Sequence, residues 1–427
     1  MRLELFRIVL AGAGAMLLWT AAAQAQAQGQ GQGSSSYLPA ENAVREAVAQ
    51  SPDVLAAEAR RDAVLARAEG IRVGTAETVV RAIGQGRQVR DPSERHAEGQ
   101  IALERPLRLW GKAQADGQLA DAAAEAGQFA VKDARHEASR QILALWFAAV
   151  RAGQVRQAAQ ENAKAATDLA TLTARRVQLG DASRLEAELA AADRARMQAA
   201  LATAEATERT AQAELQARFP GLGHPALSAD TALAALPPDP HDPPDRLRTQ
   251  YIQDSHEYRL AMAEEAQAQQ MAKRADLDRR PDPTVGMFVT VERGGAERIM
   301  GVSVAMPIGS AHRRSAAVAA AADAETAARR RLGAERRLAA EFDVLYGNLQ
   351  GKRASARAQM EAATLQKSAS DRATRAYRAG ESGLTELLAA RRNLAEAQLA
   401  ERLARVDLLE ADSRLQLDLH RMWDFDD

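Results

Sequence analysis

The sequence predicts a mainly α-helical protein with a minority of membrane-type β-strands, and three observations carry that reading. The first is a pair of proline-free stretches, Gly111 to Leu179 and Ala311 to Ala379, each about 69 residues and so roughly 100 Å of helix at 1.5 Å per residue. The second is a pair of β-branched runs, Pro283 to Glu292 and Glu297 to Met306, flanking Gly294-Gly295. The third is an internal duplication, in which Gly180 faces Gly380 and Arg105-Pro106-Leu107 faces Met306-Pro307-Ile308.

The helices come first because they set the scale. A helix that long cannot belong to one compact domain. Along it, Ile142, Leu143, Leu145, Trp146 and Ala149 repeat at i, i+3 and i+4 with charged residues between them, so one narrow stripe is buried. Composition agrees: of 427 residues, 46% are hydrophobic but only 4% aromatic and 26% charged. Alanine dominates the apolar fraction, which suits long helices packed through small side chains. A coiled-coil rod would show the same periodicity.

The strands argue against a rod. A Gly-Gly pair between two β-branched runs reads as a hairpin. In the first half, Glu77 to Gln85 and Glu98 to Leu107 are expected to form a second hairpin, with the charged segment Gly86 to Ala97 as its loop and Arg81 interrupting one strand. Four strands with no further neighbours leave open edges, which neither membrane nor water tolerates. The smallest membrane barrels use about eight strands. A protomer that supplies four must share its barrel with copies of itself, and an obligate oligomer is expected.

The duplication orders the rest. Gln50-Ser51-Pro52-Asp53 faces Asp254-Ser255-His256-Glu257, and Ala211 and Leu215 face Ala411 and Leu415. Each half reads as helix, two strands, long helix, glycine break and returning helix, giving a first repeat over 38–218 and a second over 246–427. Between them, 219–245 carries Pro237-Pro238 and Pro243-Pro244, which force extended backbone and mark a linker. At the N-terminus, Arg2 and Arg7, the apolar run Ile8 to Ala23 and the Ala23-Gln24-Ala25 pattern read as a secretory signal peptide over 1–25. A polar, Gly-rich flexible tether is expected over 26–37. There is no cysteine, hence no disulfide, no thiol nucleophile and no cysteine for a lipid anchor.

The order of elements, the passage Leu103 to Lys112 (LERPLRLWGK), the passage Val304 to Ser310 (VAMPIGS) and the paired glycine breaks together resemble the TolC-like outer-membrane efflux proteins over about residues 38 to 420. Trp110-Gly111-Lys112 looks more like the cation-efflux branch. The resemblance implies a homotrimer in which each protomer gives four strands to one 12-stranded transmembrane β-barrel, continued by a long α-helical barrel across the periplasm. Such a channel takes substrates, metal cations or small toxic compounds, from a proton-driven inner-membrane pump and a periplasmic adaptor, and contacts outer-membrane lipid. It carries out no chemistry and needs no cofactor.

At the glycine breaks, a left-handed glycine ends one helix and Ser183 with Glu186 forms a capping-box pattern that starts the next; Gly383 or Ser382 is the corresponding cap in the second half. The family implies that these tips, Gly180, Asp181, Ser183, Gly380, Glu381 and Ser382, dock the adaptor and close the channel. Its gate positions fall on Glu186, Tyr377 and Glu386, with Glu186 and Tyr377 able to hydrogen-bond across the closed entrance. A companion acid falls on Ala389 and a basic gate residue on Ser382, so the network is incomplete. Glu186 has a second reading as a plain helix cap, Glu386 as a charge favourable to its helix dipole, and Tyr377 as a packing residue.

Other classes fare worse. Lys+Arg 56 against Asp+Glu 57 gives a net charge of -1, with no basic excess for nucleic acid. The seven histidines, at 96, 136, 224, 241, 256, 312 and 420, show no metalloprotease spacing, and there is no phosphate loop or nucleophile elbow. His224 and His241 in the linker are two ligands, too few for a closed metal site, so no metal centre is predicted. A soluble periplasmic coiled-coil adaptor or scaffold is the alternative, but adaptors carry their helical hairpin once and this chain repeats it.

Overall fold

The computed structural model describes residues 37–225 and 236–425. The expected leader over 1–25, nearly all of the tether and the middle of the 219–245 segment lie outside them. Each half opens with two short helices, α1 (Glu41–Ala49) and α2 (Pro52–Val73) in the first, α5 (Pro244–Asp254) and α6 (His256–Leu277) in the second. Hairpins follow, β1 (Val79–Arg90) with β2 (Ser93–Pro106), and β3 (Thr284–Glu292) with β4 (Glu297–Ala305). The long helices are α3 (Lys112–Gln178), 67 residues, and α7 (Ala311–Arg378), 68 residues. The returning helices α4 (Arg184–Arg218) and α8 (Leu384–Asp418) are 35 residues each.

Two expectations are corrected. The helix leading each half is broken into two, at Ser51 and Ser255, both in extended backbone. In the first half the cause is Pro52, which lacks an amide donor and pushes its predecessor out of the helical region. The charged segment Gly86 to Ala97 is not a loop: Gly86 pairs with Ala97 and the ladder continues to Arg90 and Ser93, leaving Asp91-Pro92 as the turn. Its charges pair across strands, Arg87 with Glu98 at 3.0 Å and with Glu292 at 3.0 Å, and opposite charges facing one another favour a ladder. Arg81 likewise sits inside β1, 3.1 Å from Glu104 on β2.

The helices pack around two main cores. In one, Ile142, Leu143, Phe147 and Val150 of α3 meet Leu215 and Phe219 at the end of α4 and Val406 and Leu409 of α8. In the other, Tyr251 of α5, Leu338, Phe342 and Leu349 of α7 meet Leu408 and Leu415 of α8. Leu408 and Leu409 therefore look into different cores, and α8 is the seam between the halves. Each fully buried Leu or Phe contributes about 1.5–3 kcal/mol. Polar groups bind the same seam: Arg151 of α3 donates to Asp407 at 2.8 Å and Glu410 at 2.6 Å on α8, and Lys352 of α7 donates to Asp407 at 2.5 Å.

The four strands form one antiparallel sheet in the order β1-β2-β3-β4, with the two halves joined at β2 and β3. Below it, the Trp110-Gly111-Lys112 passage builds the strand-to-helix junction. Gly111 takes the left-handed φ of 79°, turning the chain from β2 into α3. The Lys112 ammonium, buried at 2% exposure, then donates to the Arg280 carbonyl at 2.7 Å and pairs with Asp282 at 2.9 Å and Asp278 at 3.2 Å. The Trp110 indole donates to the Pro281 carbonyl at 3.3 Å, and the Leu109 amide to Asp282 at 3.2 Å. The β2–α3 turn of the first half is thus locked to the α6–β3 turn of the second. Asp116 receives both Arg108 and Arg274 beside it.

Replacing Lys112 by Met should lower stability by about 2–3 kcal/mol. That is less than the roughly 3–5 kcal/mol for breaking a fully buried pair, because Asp278 stays half exposed. The thermal midpoint of the purified protein measures it; an unchanged midpoint would show that the junction is not held by this cation. Asp407 generates a pH prediction. Burial pushes its carboxyl up, but the hydrogen bonds from Lys352 and Arg151 and their charges outweigh it, and the net position is below the usual carboxylate range. A depressed folded value means stability that is present above the unfolded Asp value of about 3.9 and is lost as pH falls through the folded one. Asp407→Asn should therefore flatten the fall in thermal midpoint between about pH 5 and the acid limit, with wild type and variant converging at low pH.

Candidate functional site

Two regions have a chemistry that packing alone does not explain, the sheet and the helix-hairpin tips. In the sheet, register sorts the side chains by face. One face carries the rows Val80-Leu103-Met287-Val302 and Ala82-Ile101-Val289-Met300, in cross-strand order. The large side chains in these rows are exposed, from 44% at Leu103 to 84% at Val302. The other face carries Arg81, Gln85, Arg87, Glu98, Gln100, Glu104 and Thr290, by alternation along the same strands. Charged groups pair on it, with Glu98 buried beneath Gln85 and Arg87. An apolar face opposite a polar one on antiparallel strands is what a barrel wall in lipid requires. Among the described residues no helix is long and apolar enough to cross a membrane.

The two tips share one backbone solution. At the end of α3, Gly180 takes φ 81°, the Gly180 amide donates to Val177 and the Asp181 amide to Arg176. At the end of α7, Gly380 takes φ 73°, with Gly380 donating to Tyr377 and Glu381 to Ala376. This paired pattern closes a helix with a left-handed residue. The restarts differ. Ser183 and Glu186 form the reciprocal capping box, the Glu186 amide donating to Ser183 Oγ at 3.2 Å and the Ser183 amide to Glu186 Oε2 at 3.3 Å. In the second tip Gly383 is the cap, without a side chain to offer, and Glu386 sits exposed in the first turn.

The expected gate residues are all at the tips, but one protomer does not join them. The Glu186 carboxylate serves its own helix start. Tyr377 is buried among Leu169, Ala170, Ala190, Leu384 and Leu387, with the Arg176 guanidinium 5.2 Å from its ring centre. Its hydroxyl is buried without a hydrogen-bond partner among the described residues, and so is that of Ser382. The Tyr377 ring holds the tip hairpin together as a packing group, and its phenol is left over.

Sequence reasoning missed two features. Leu179 and Leu185 flank the first turn at 62% and 63% exposure, while their counterparts in the second turn are Ala379 and Thr385. Exposed leucines beside a glycine turn were the available signal. Three of the seven histidines, His136, His256 and His420, converge although 120 and 164 residues separate them in sequence, and no spacing pattern could have shown it.

Ser183→Ala should cost about 1 kcal/mol through loss of the cap, whereas Tyr377→Phe should leave the thermal midpoint unchanged or raise it, because it removes a buried hydroxyl with no partner. A clear loss of stability in Tyr377→Phe would reveal a hydrogen bond made by that hydroxyl in the assembled protein.

No protein-family model matches the sequence, and no curated protein does. Solved structures do match in fold. The outer-membrane channel OprN superposes with a TM-score of 0.70 at 19% identity, covering 90% of both chains. The outer-membrane protein VceC of Vibrio cholerae gives 0.69 at 18% identity over 90% of this chain and 96% of its own. CusC, known for transmembrane channel formation, gives 0.70 at 14% identity over 88% and 91%. These structures are channels, not enzymes, and they do not single out one branch. The chain has the fold of an outer-membrane channel protein along nearly its whole described length.

Proposed function

We propose that the protein is the outer-membrane channel of a tripartite efflux system, a TolC-family homotrimer whose protomers each give four strands to a shared 12-stranded barrel. One observation carries the reading: an unclosed sheet with an exposed apolar face and a charged opposite face continues directly into helices of 67 and 68 residues. The unpaired edges at β1 and β4 need partners, and a second and third copy supply them with closed symmetry. The apolar rows then face lipid, the charged face lines the lumen, and the helices form the periplasmic tunnel. A soluble adaptor or scaffold does not account for that apolar face.

In this arrangement the six tips of the trimer surround the periplasmic entrance. Leu179 and Leu185 add an apolar docking element beside Gly180, Asp181 and Ser183, and the second tip, Gly380, Glu381 and Ser382, presents a polar one. Three copies of Glu386 would form an acidic ring across the three-fold axis, where a passing cation is favoured. Glu186 and Tyr377 would contribute to closure only through contacts between protomers or after the capping box opens. The cargo is metal cations or small toxic compounds handed over by an inner-membrane pump and a periplasmic adaptor. The Trp110-Gly111-Lys112 passage is accounted for by the junction, so it speaks to the fold and not to the cargo.

Ile101→Arg places a charge on the apolar face and should cost about 2–4 kcal/mol of membrane stability, whereas Gln100→Arg on the polar face should be tolerated. The measurement is recovery of a carbonate-resistant trimer from outer-membrane fractions. A wild-type protein recovered as a soluble monomer or dimer would overturn the reading. Sensitivity of a deletion strain to a panel of metal ions and drugs decides the cargo class.

A further inference from the structure

We propose that His136, His256 and His420 form a binding site for a divalent late first-row cation, with zinc as the best fit, which clips together α3, the start of α6 and the end of α8. One ring nitrogen from each residue lies within 4.8 Å of the others. A tetrahedral ion with nitrogen ligands at about 2.0–2.1 Å holds them about 3.4 Å apart, so the widest gap has to close by at most roughly 1.4 Å. Small ring rotations supply that. The fourth position goes to water, as in three-histidine zinc sites.

The surroundings fit a metal ligand set. Nε2 of His136 lies 3.1 Å from Asp418 Oδ1, the carboxylate-to-histidine contact that orients a metal-bound ring from behind. Asp418 is itself fixed by Arg140 Nε at 2.8 Å and Arg414 Nε at 2.8 Å. Those two cations hold the carboxylate as an acceptor for His136 and keep it from serving as a ligand. His256 is buried and the other two are nearly so.

Simple ring packing is the competing explanation, since His136 stacks on His420 at 5.0 Å and His256 meets His420 edge-on at 4.5 Å. Two observations weigh against it. First, the fold does not need histidine here. At the repeat-related places in the chain stand Pro52 at the start of α2, Pro220 after α4 and Arg336 on α7, and the same architecture forms without them. Second, His420 has a left-handed φ of 56°. Its amide donates to Leu417 and that of Arg421 to Gln416, the same helix-closing pattern in which both tips use glycine. Holding a side chain where glycine is preferred costs free energy, and the site gains the third imidazole in return.

The inference stands apart from the channel reading, since the metal assay and the membrane assay fail independently. The full-length protein, purified in detergent and stripped with a chelator, is titrated with Zn2+ and with Co2+. Wild type should take up one ion per protomer, show the intense visible bands of four-coordinate Co2+, and gain thermal stability with Zn2+. His420→Gly should keep or raise the metal-free midpoint, because glycine suits the helix end, yet lose stoichiometric uptake and the zinc response. Asp418→Asn should weaken binding about 10- to 100-fold, and His96→Gln, outside the cluster, should change nothing. Absence of stoichiometric uptake by wild type, or a six-coordinate Co2+ spectrum that His420→Gly retains, would overturn the proposal.

Discussion

The structure depends on a sheet that one chain cannot finish. Strands β1 and β4 each present a row of unpaired backbone groups, and the face between them exposes Val80, Ile101, Met300 and Val302. Either feature alone would be a liability in water. The proposed trimer would remedy both at once, pairing every strand and turning the apolar rows to lipid. The helices are bound by the same constraint, because each long helix is the continuation of a strand whose place is already set.

That coupling is transmitted by the junction at Lys112. A strand-to-helix change could swing the helix through a wide angle, and left-handed Gly111 alone would permit it. The buried ammonium removes the freedom by holding the Arg280 carbonyl and two aspartates of the opposite half. The β2–β3 ladder above and the α8 seam below then bind the halves at three heights. The histidine cluster lies at a fourth, where α3, α6 and the end of α8 meet, and it occurs once although the chain is built twice. A duplicated fold is free to specialise one copy of a position, and His420, where the first half has Pro220, is such a difference.

Much of the fold was legible because its signals are long. Proline exclusion over two stretches fixes α3 and α7 to within a residue or two, and Gly180 and Gly380 mark their ends by a backbone conformation that glycine adopts readily. The second hairpin was legible from Gly294-Gly295. The first hairpin is shorter in the sequence than in the sheet, because charge in Gly86 to Ala97 looks like a loop until the partners of Arg87 are known across the sheet. Cross-strand pairing is a tertiary fact, and a single sequence does not contain it in readable form. The histidine cluster failed for the same reason, its members lying on three separate elements. The capping box at Ser183 and Glu186 was legible because its logic spans only three residues.

The tips show how the same backbone can be given two chemistries. Both close with a left-handed glycine and the same pair of amide bonds, so their geometry is set by the helix end and not by the residues after it. The helix restarts are unlike: a capping box flanked by Leu179 and Leu185 in one, a bare Gly383 cap with Glu386 unengaged in the other. A carboxylate committed to a cap is a poor gate, because opening the gate would cost the helix its start. Glu386 has no such commitment, and its charge is stabilised by the helix dipole wherever it points. Of the two acidic gate positions, Glu186 and Glu386, it is the one whose side chain is not already held in a helix cap.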